Sequence, residues 1–377
     1  MAGFWYKSSL QFKPPSGHNH SKRCKMENLK SILIGCGAIA REHLAALAQL
    51  KNVEVAAICD ISAAKAEATA ERFGIAKWYT NHEQLVAEIR PDMVHITTPP
   101  STHFAIAKTC LAAGLNILCE KPITVDYQDF VKLKQLAIQN RCMLIENHNI
   151  PFHSSIRRIQ ALVTSGKFGD IIEVQIFLVL NLFGVKSPYV DKNMPHFSFI
   201  LRGGVIGDFL THLACLTHLF TGSVIDLRTI WAKHSLDSPL PADEFRSLIK
   251  GERATAHVGF SGNAQPNMFW VRVIGTHMHA ETDLFQPPRL TLRRSRGGEP
   301  ALASLVDGLV EARDVLRGTV AAFWRKLAGT SRYDGFPELI ARVYHSVEMH
   351  EPQPIPLDEI DEIARLVDSF TKPELKL

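Results

Sequence analysis

Two short stretches carry the side chains most able to do chemistry. Lys121 follows Glu120 and precedes Pro122 at the end of the apolar run "NILC", residues 116–119. Such a run reads as a buried strand, yet lysine is rarely buried without a partner and proline has no place inside a central strand. The strand must therefore end here, with a charged pair at its mouth. Asp208 and His212 stand four residues apart in "GGVIGDFLTHLACLTHLFTG", a helical pattern, so both lie on one face of one helix. Histidine is the usual general base near neutral pH. Taken alone, each stretch keeps a plainer reading. Glu120 and Lys121 could be a solvated pair on a loop. His212 could be a satisfied core histidine, and Asp208 with His212 could be half a metal site. No second helix offers a matching pair, so a metal is not expected.

A nucleotide site is the third feature. Gly35-Cys36-Gly37-Ala38-Ile39-Ala40 lies between an apolar run and a helical pattern. The first glycine permits a tight turn, the second lets backbone approach a pyrophosphate, and Ala40 is small enough for helix–strand packing. The backbone N–H groups of Ala38 and Ile39 then open the helix, whose positive dipole end suits phosphate. The next apolar run closes on Asp60, near the distance at which a carboxylate meets a ribose 2′-hydroxyl. That carboxylate repels a 2′-phosphate, and no arginine follows to offset it, only Lys65. NAD is therefore expected in preference to NADP. Thr97-Thr98-Pro99-Pro100 ends the following strand as a rigid lip where ligands lie in such sheets. His103 either faces that cleft or caps the helix.

Several elements must hold these groups together. From Lys30 onward, continuous apolar runs alternate with helical patterns as far as "CMLIENHN". This is the signature of a parallel sheet covered on both faces. Beyond Pro151 come an amphipathic helix, "SSIRRIQALVTSGKFG", a long strand, "DIIEVQIFLVLN", and the helix bearing Asp208. Then follow the strand-like stretches "IDLRTIWAKHS", "RATAHVGFSG", "MFWVRVIGTHMHAETD" and "RLTLRRS", and helical patterns over 301–328, 336–349 and "LDEIDEIARLVDSF". The expected fold is α/β plus α+β. A Rossmann dinucleotide-binding domain spans 29–150. A substrate-binding and oligomerisation domain spans 151–377, with a mostly antiparallel open sheet packed by helices and a last helix able to return to the first domain. Residues 1–28 lack periodicity and a signal-peptide core and read as an extension; Met26 stands just before the first strand.

"GCGAIA", "TTPPSTHFAIA", "CEKPIT" and "GGVIGDFLTH" together resemble the glucose–fructose oxidoreductase / inositol dehydrogenase (Gfo/Idh/MocA) family, in a layout covering about residues 30–370. The resemblance implies that Lys121 projects into a cleft beside the nicotinamide and that Lys121–Pro122 is cis. It implies that His212 takes the proton of a substrate hydroxyl while hydride leaves the same carbon, that Asp208 orients the substrate or tunes Lys121 and His212, and that the Lys121 ammonium stabilises the developing alkoxide. The implied cofactor contacts are Gly35, Gly37, Ala38, Ile39, Asp60, Thr98, Pro99, Pro100, His103, Lys121 and Asn149. Glu120 would touch the nicotinamide ribose or Lys121. Three positions depart from the family pattern: Cys215 where aspartate is common, Asn149-Ile150-Pro151 where N-x-R is common, and Leu201-Arg202 before Gly203. They bear on subfamily and substrate rather than on the three reactive residues.

Composition narrows the partners. A net charge of +4 in 377 residues does not argue for nucleic acid, and no apolar run approaches a membrane span. Seven cysteines without a CxxC pair suit a reducing cytoplasm. The basic and aromatic loop with Lys186, Tyr189, Lys192, His196 and Arg202 suits a polyol, a sugar or an anionic sugar. An open sheet face makes a homodimer or homotetramer the expected assembly. The leading function is an NAD-dependent dehydrogenase of a sugar-like secondary alcohol. The alternatives are an NAD-assisted glycosidase of the same fold, which would retain NAD without net NADH, and a non-catalytic NAD-binding regulator.

Overall fold

A computed structural model describes residues 28–184, 189, 197–235, 240–286, 290–294 and 334–372, with isolated helical positions between 308 and 324. The extension expected before Asn28, most of the helix expected over 301–328, and Lys186, Lys192 and His196 lie outside the described residues.

The first sheet contains β1 (Leu29–Ile34), β2 (Val53–Cys59), β3 (Trp78–Tyr79), β4 (Met93–Ile96), β5 (Ile117–Cys119) and β6 (Leu144–Glu146). All pair in parallel, in the order β3-β2-β1-β4-β5-β6. Helices α1 (Ala40–Leu47), α2 (Ala63–Phe73), α3 (His82–Glu88), α4 (Pro100–Ala112) and α5 (Tyr127–Asn140) connect them. Local chemistry sets the helix ends. The side chains of Ser62, Asn81 and Asp126 accept first-turn N–H groups of α2, α3 and α5. Gly74 closes α2 at φ 67°, as its sequence position suggests. The order in which strands are added reverses between β1 and β4, which opens a crevice at the carboxyl ends of these parallel strands.

The second sheet runs β13-β12-β11-β7-β10-β9-β8. Its members are β7 (Ile171–Val179), β8 (Val224–Ala232), β9 (Glu244–Gly251), β10 (Thr255–Ser261), β11 (Met268–Gly275), β12 (Met278–Asp283) and β13 (Thr291–Arg294). Only β7 and β10 pair in parallel. α6 (Ser154–Thr164) and α7 (Gly204–Thr221) pack on its inner face, where α7 shares a core with β7, β9, β10 and β11. Two features differ from the sequence reading. "MFWVRVIGTHMHAETD" is a hairpin, β11 and β12, rather than one strand. β9 has no clean alternation of polarity: Ser247 points inward, within 3.3 Å of Thr229 Oγ1, and Leu248 points outward with 57% of its surface exposed.

α8 (Phe336–Met349) and α9 (Leu357–Thr371) follow. α8 falls in the segment expected to build the second domain, yet Phe336, Leu339, Ile340, Val343 and Tyr344 belong to the first core. α9 straddles both: Ile360 joins the first core, while Ile363, Leu366 and Phe370 join the second. Polar ties fix it there. Lys134 on α5 reaches Asp358 and Asp361 at 2.7 Å, and Arg202, just before α7, bridges Asp126 and Asp368 at 3.0 Å. These contacts hold the start of α7 over the end of β5.

Candidate active site

β5 ends at Cys119, and the turn that follows holds Lys121 and a cis Lys121–Pro122 bond. The Lys121 ammonium donates to the Asp208 carboxylate (Nζ to Oδ1, 2.8 Å) and to the Asp208 carbonyl oxygen at 2.9 Å. The pair is largely shielded, with 17% and 8% of the two side chains exposed. Helix α7 delivers its half through glycines. Gly203 and Gly204 both have positive φ, 79° and 60°. At Gly207 a Cβ would collide with the Arg202 carbonyl oxygen, so only glycine allows this tight first turn.

One turn beyond Asp208, His212 is half-buried, and its buried Nδ1 has no hydrogen-bond partner among the described residues. Burial, then the Lys121 charge, then His148 hold its pKa well below the usual imidazole value. It is therefore neutral at pH 7, with a lone pair to accept a proton. The sequence reading brings Lys121, Asp208 and His212 to one place; the structure puts the first two in direct contact, with the third close enough for the Lys121 charge to act on it.

Behind them lies a polar group that sequence reasoning missed. His148, just past β6, is buried with neither ring nitrogen hydrogen-bonded among the described residues; its Nε2 is 3.5 Å from Glu146 Oε2. Burial, followed by His218 and Lys121, drives His148 down to about 3, and burial pushes Glu146 up to about 8. The folded chain thus holds the Glu146 proton far more tightly than the unfolded chain does. The resulting stability is complete below the usual carboxylate value near 4.5 and is lost as pH rises through about 8. Glu146→Gln should remove this loss. Relative to the parent, the variant should gain about 3–4 kcal/mol between pH 5 and pH 8, read from urea unfolding at both pH values. A constant difference would mean that Glu146 ionises normally.

Glu120 turns away from the Lys121 ammonium. Its Oε1 accepts from Asn147 Nδ2 at 2.6 Å and lies 2.9 Å from His43 Nε2; among the described residues its Oε2 meets only the Lys121 backbone N–H, at 3.3 Å. Asn147, rather than the half-buried Asn149, reaches this centre. Nothing in the "ENHN" pattern distinguishes the two asparagines, because a single residue of twist at a strand end decides which points inward.

At the crevice, Gly35 adopts φ 104° and lies so close to β4 that a Cβ would stand 2.7 Å from the Thr97 carbonyl carbon and the Thr98 nitrogen. Gly37 has nothing within 4 Å of its Cβ direction, and Gly37 and Ala38 are exposed. α1 starts after Ile39 with no side-chain cap. Asp60 braces this loop, accepting from Cys36 N and Ser62 N at 2.8 Å each, and retains further acceptor capacity. Ile61 beside it is 95% exposed, an apolar surface for a flat base that the sequence did not single out. Open backbone, an uncapped helix start and a carboxylate at the end of β2 fit a dinucleotide. Thr98 is half-buried and its Oγ1 accepts from Thr102; Pro99 is exposed and Pro100 is buried as the first residue of α4. His103 differs from the expected cofactor contact. It is wholly buried, with Nδ1 2.8 Å from the Pro122 carbonyl oxygen and Nε2 2.7 Å from that of Thr98, so it clamps the two strand ends and has no nitrogen left for a ligand.

The model of the Gfo/Idh/MocA oxidoreductase family, NAD-binding Rossmann fold, matches residues 29–148. A dTDP-3,4-didehydro-2,6-dideoxy-alpha-D-glucose 3-reductase of Streptomyces violaceoruber is 27% identical over 318 residues, 82% of this chain and 86% of its own. A UDP-N-acetylglucosamine 3-dehydrogenase of Acidithiobacillus ferrooxidans is 25% identical over 308 residues, 80% and 90% of the two chains. The WlbA dehydrogenase of Bordetella pertussis, solved with NADH and UDP-GlcNAcA, shares the fold at a TM-score of 0.70 and 14% identity, covering 92% of this chain and 96% of its own.

Proposed function

Since this chain belongs to the Gfo/Idh/MocA family of oxidoreductases, we propose that it transfers hydride between NAD and a secondary alcohol of a sugar or sugar derivative. Lys121, Asp208 and His212 are the catalytic set. The observation that carries this reading is the 2.8 Å pair between Lys121 Nζ and Asp208 Oδ1, with half-buried, neutral His212 one helical turn away.

NAD bound along Gly37, Ala38, α1 and Asp60 supplies the hydride acceptor. The remaining work falls to this chain. Asp208 holds the Lys121 ammonium at the cleft. The ammonium donates to the substrate hydroxyl oxygen and stabilises the negative charge that grows there as the proton leaves. His212 accepts that proton. In the reverse direction the same imidazole returns the proton to the oxygen.

Both curated relatives named above act, by their names, on nucleotide-linked sugars, which supports placing this substrate class first. The test is a panel of nucleotide sugars, uronates, free sugars and polyols, followed by NADH absorbance with NADP in parallel. NADH should form with members of one of these classes. NADP should be slower by at least about tenfold, because a carboxylate at the end of β2 would repel a 2′-phosphate. Failure of the whole panel, with NAD retained and unreduced, would favour oxidation and re-reduction within one turnover instead. The free thiols of the described cysteines support action in a reducing, cytoplasmic compartment. Exposed Ile230 and Leu248 on the outer sheet face support a homodimer or homotetramer built through it.

A further inference from the structure

Four polar side chains stand in line inside the first core. Tyr344 Oη is 2.9 Å from His95 Nε2, His95 Nδ1 is 2.7 Å from His43 Nδ1, and His43 Nε2 is 2.9 Å from Glu120 Oε1. His43 and His95 have no exposed surface, Tyr344 has 2% and Glu120 has 8%. They come from α8, β4, α1 and the end of β5, so no local pattern made them neighbours.

Proton counting fixes the direction of the line. Glu120 already accepts from Asn147 and from the Lys121 N–H, as a carboxylate does. His43 must then present Nε2–H to Oε1. A neutral His43 leaves Nδ1 as an acceptor, so the single proton between the two rings sits on His95 Nδ1. His95 Nε2 is then an acceptor, and the Tyr344 hydroxyl donates to it. Every donor points toward Glu120, and each ring has one possible tautomer. An extra proton on His43 would reverse the His43–His95 and His95–Tyr344 bonds, and His95, held well below its usual pKa chiefly by burial, resists taking up charge.

We propose that Tyr344, His95 and His43 form a positioning chain that holds Glu120 as a carboxylate turned to the Lys121 N–H, joining the helix behind the nucleotide loop to the strand end that bears the reactive lysine. The inference rests on the function proposed above. None of the three touches the reacting atoms, and all act through Glu120. The groups facing Glu120 are His43 from α1, His103 from α4, Cys119 and Lys121 from its own strand end, and Glu146 and Asn147 from β6. Burial by itself would raise Glu120; the His43 Nε2–H hydrogen bond, then Asn147 and Lys121, outweigh it.

His43→Leu removes the last donor of the chain, while His43→Gln keeps an N–H in reach. Infrared difference spectra of each protein against its Glu120→Gln counterpart report Glu120 and cancel Glu146. Between pH 6 and 8 the parent and His43→Gln should show an ionised carboxylate, and His43→Leu a protonated one. In the same variant the acid limb of kcat should move to higher pH, with turnover falling about tenfold for each pH unit below the new pKa, and KM for NAD should stay within a few-fold. An ionised Glu120 and a superposable pH profile in folded His43→Leu would overturn the proposal. Should that variant not fold, Tyr344→Phe carries the test, with the same shift in smaller size, and its absence has the same meaning. The infrared result needs no substrate, so it stands apart from any failure of the dehydrogenase reading.

Discussion

Lys121→Ala should lower kcat by about 10³-fold while leaving NAD affinity within a few-fold. The side chain meets the substrate oxygen in the proposed reaction, and it is the cation that holds the shielded Asp208 carboxylate. Its loss removes a positive charge placed for the developing alkoxide inside a cleft where little water can replace it. The cofactor loop is unaffected, because Gly35 packs on the Thr97–Thr98 backbone and Asp60 accepts from Cys36 and Ser62, while Gly37 points into open space. Stability should fall too, by about 2–3 kcal/mol, the low side of the cost of leaving one buried partner unpaired, since this pair opens on a cleft. Lys121→Met keeps the volume without the charge and should lose turnover equally. Calorimetric NAD binding and steady-state kinetics separate the two effects. Unchanged turnover in either variant would remove Lys121 from the mechanism, and a collapse of NAD binding would make it a cofactor ligand first.

Gly35→Ala should be the most damaging single substitution in the nucleotide loop. The backbone at φ 104° is one that residues with a side chain rarely adopt, and the added Cβ would meet the Thr97 and Thr98 backbone at 2.7 Å. Backbone cannot rotate aside as a side chain can. Strain and overpacking together amount to about 3 kcal/mol or more. The β1–β4 junction should spread, since Thr97 Oγ1 donates to the Gly35 carbonyl oxygen at 2.6 Å across it. NAD affinity should fall at least about tenfold, a 1.4 kcal/mol displacement of the phosphate-binding backbone. Gly37→Ala is the control: its Cβ would point into open space, so the apo protein should keep its stability and only cofactor binding should suffer. Equal melting temperatures for Gly35→Ala and the parent would refute the close-approach argument.

Failures of the sequence reading cluster where a residue's environment is made by distant chain. "MVHI" is a continuous apolar run except for His95, and a buried polar group implies a partner. That partner is Tyr344 on one side and His43 on the other, separated along the chain by 249 and 52 residues. No spacing rule links them. His103 illustrates the opposite error. Its place after the Thr-Thr-Pro-Pro lip suggests a ligand contact, but the clamp onto Pro122 and Thr98 depends on how β5 lies beside β4. β9 escaped notice because Ser247 and Leu248 are reversed relative to a half-buried strand, and the Thr229 hydroxyl from the neighbouring strand is what lets Ser247 face inward.

What the chain's order alone determined is local and periodic: parallel strands from unbroken apolar runs, helix ends from Ser62, Asn81, Asp126 and Gly74, the tight turn at Gly35, and Asp208 and His212 on one helical face. These follow from backbone geometry and a few neighbouring atoms. Tertiary structure alone decided which side of its strand end Glu120 faces, that Asn147 and not Asn149 reaches it, that α8 completes the first core, and that Lys121 meets Asp208. Those outcomes depend on burial, which sets how strongly charges and unpaired polar atoms act, and burial exists only once segments remote in sequence have packed together.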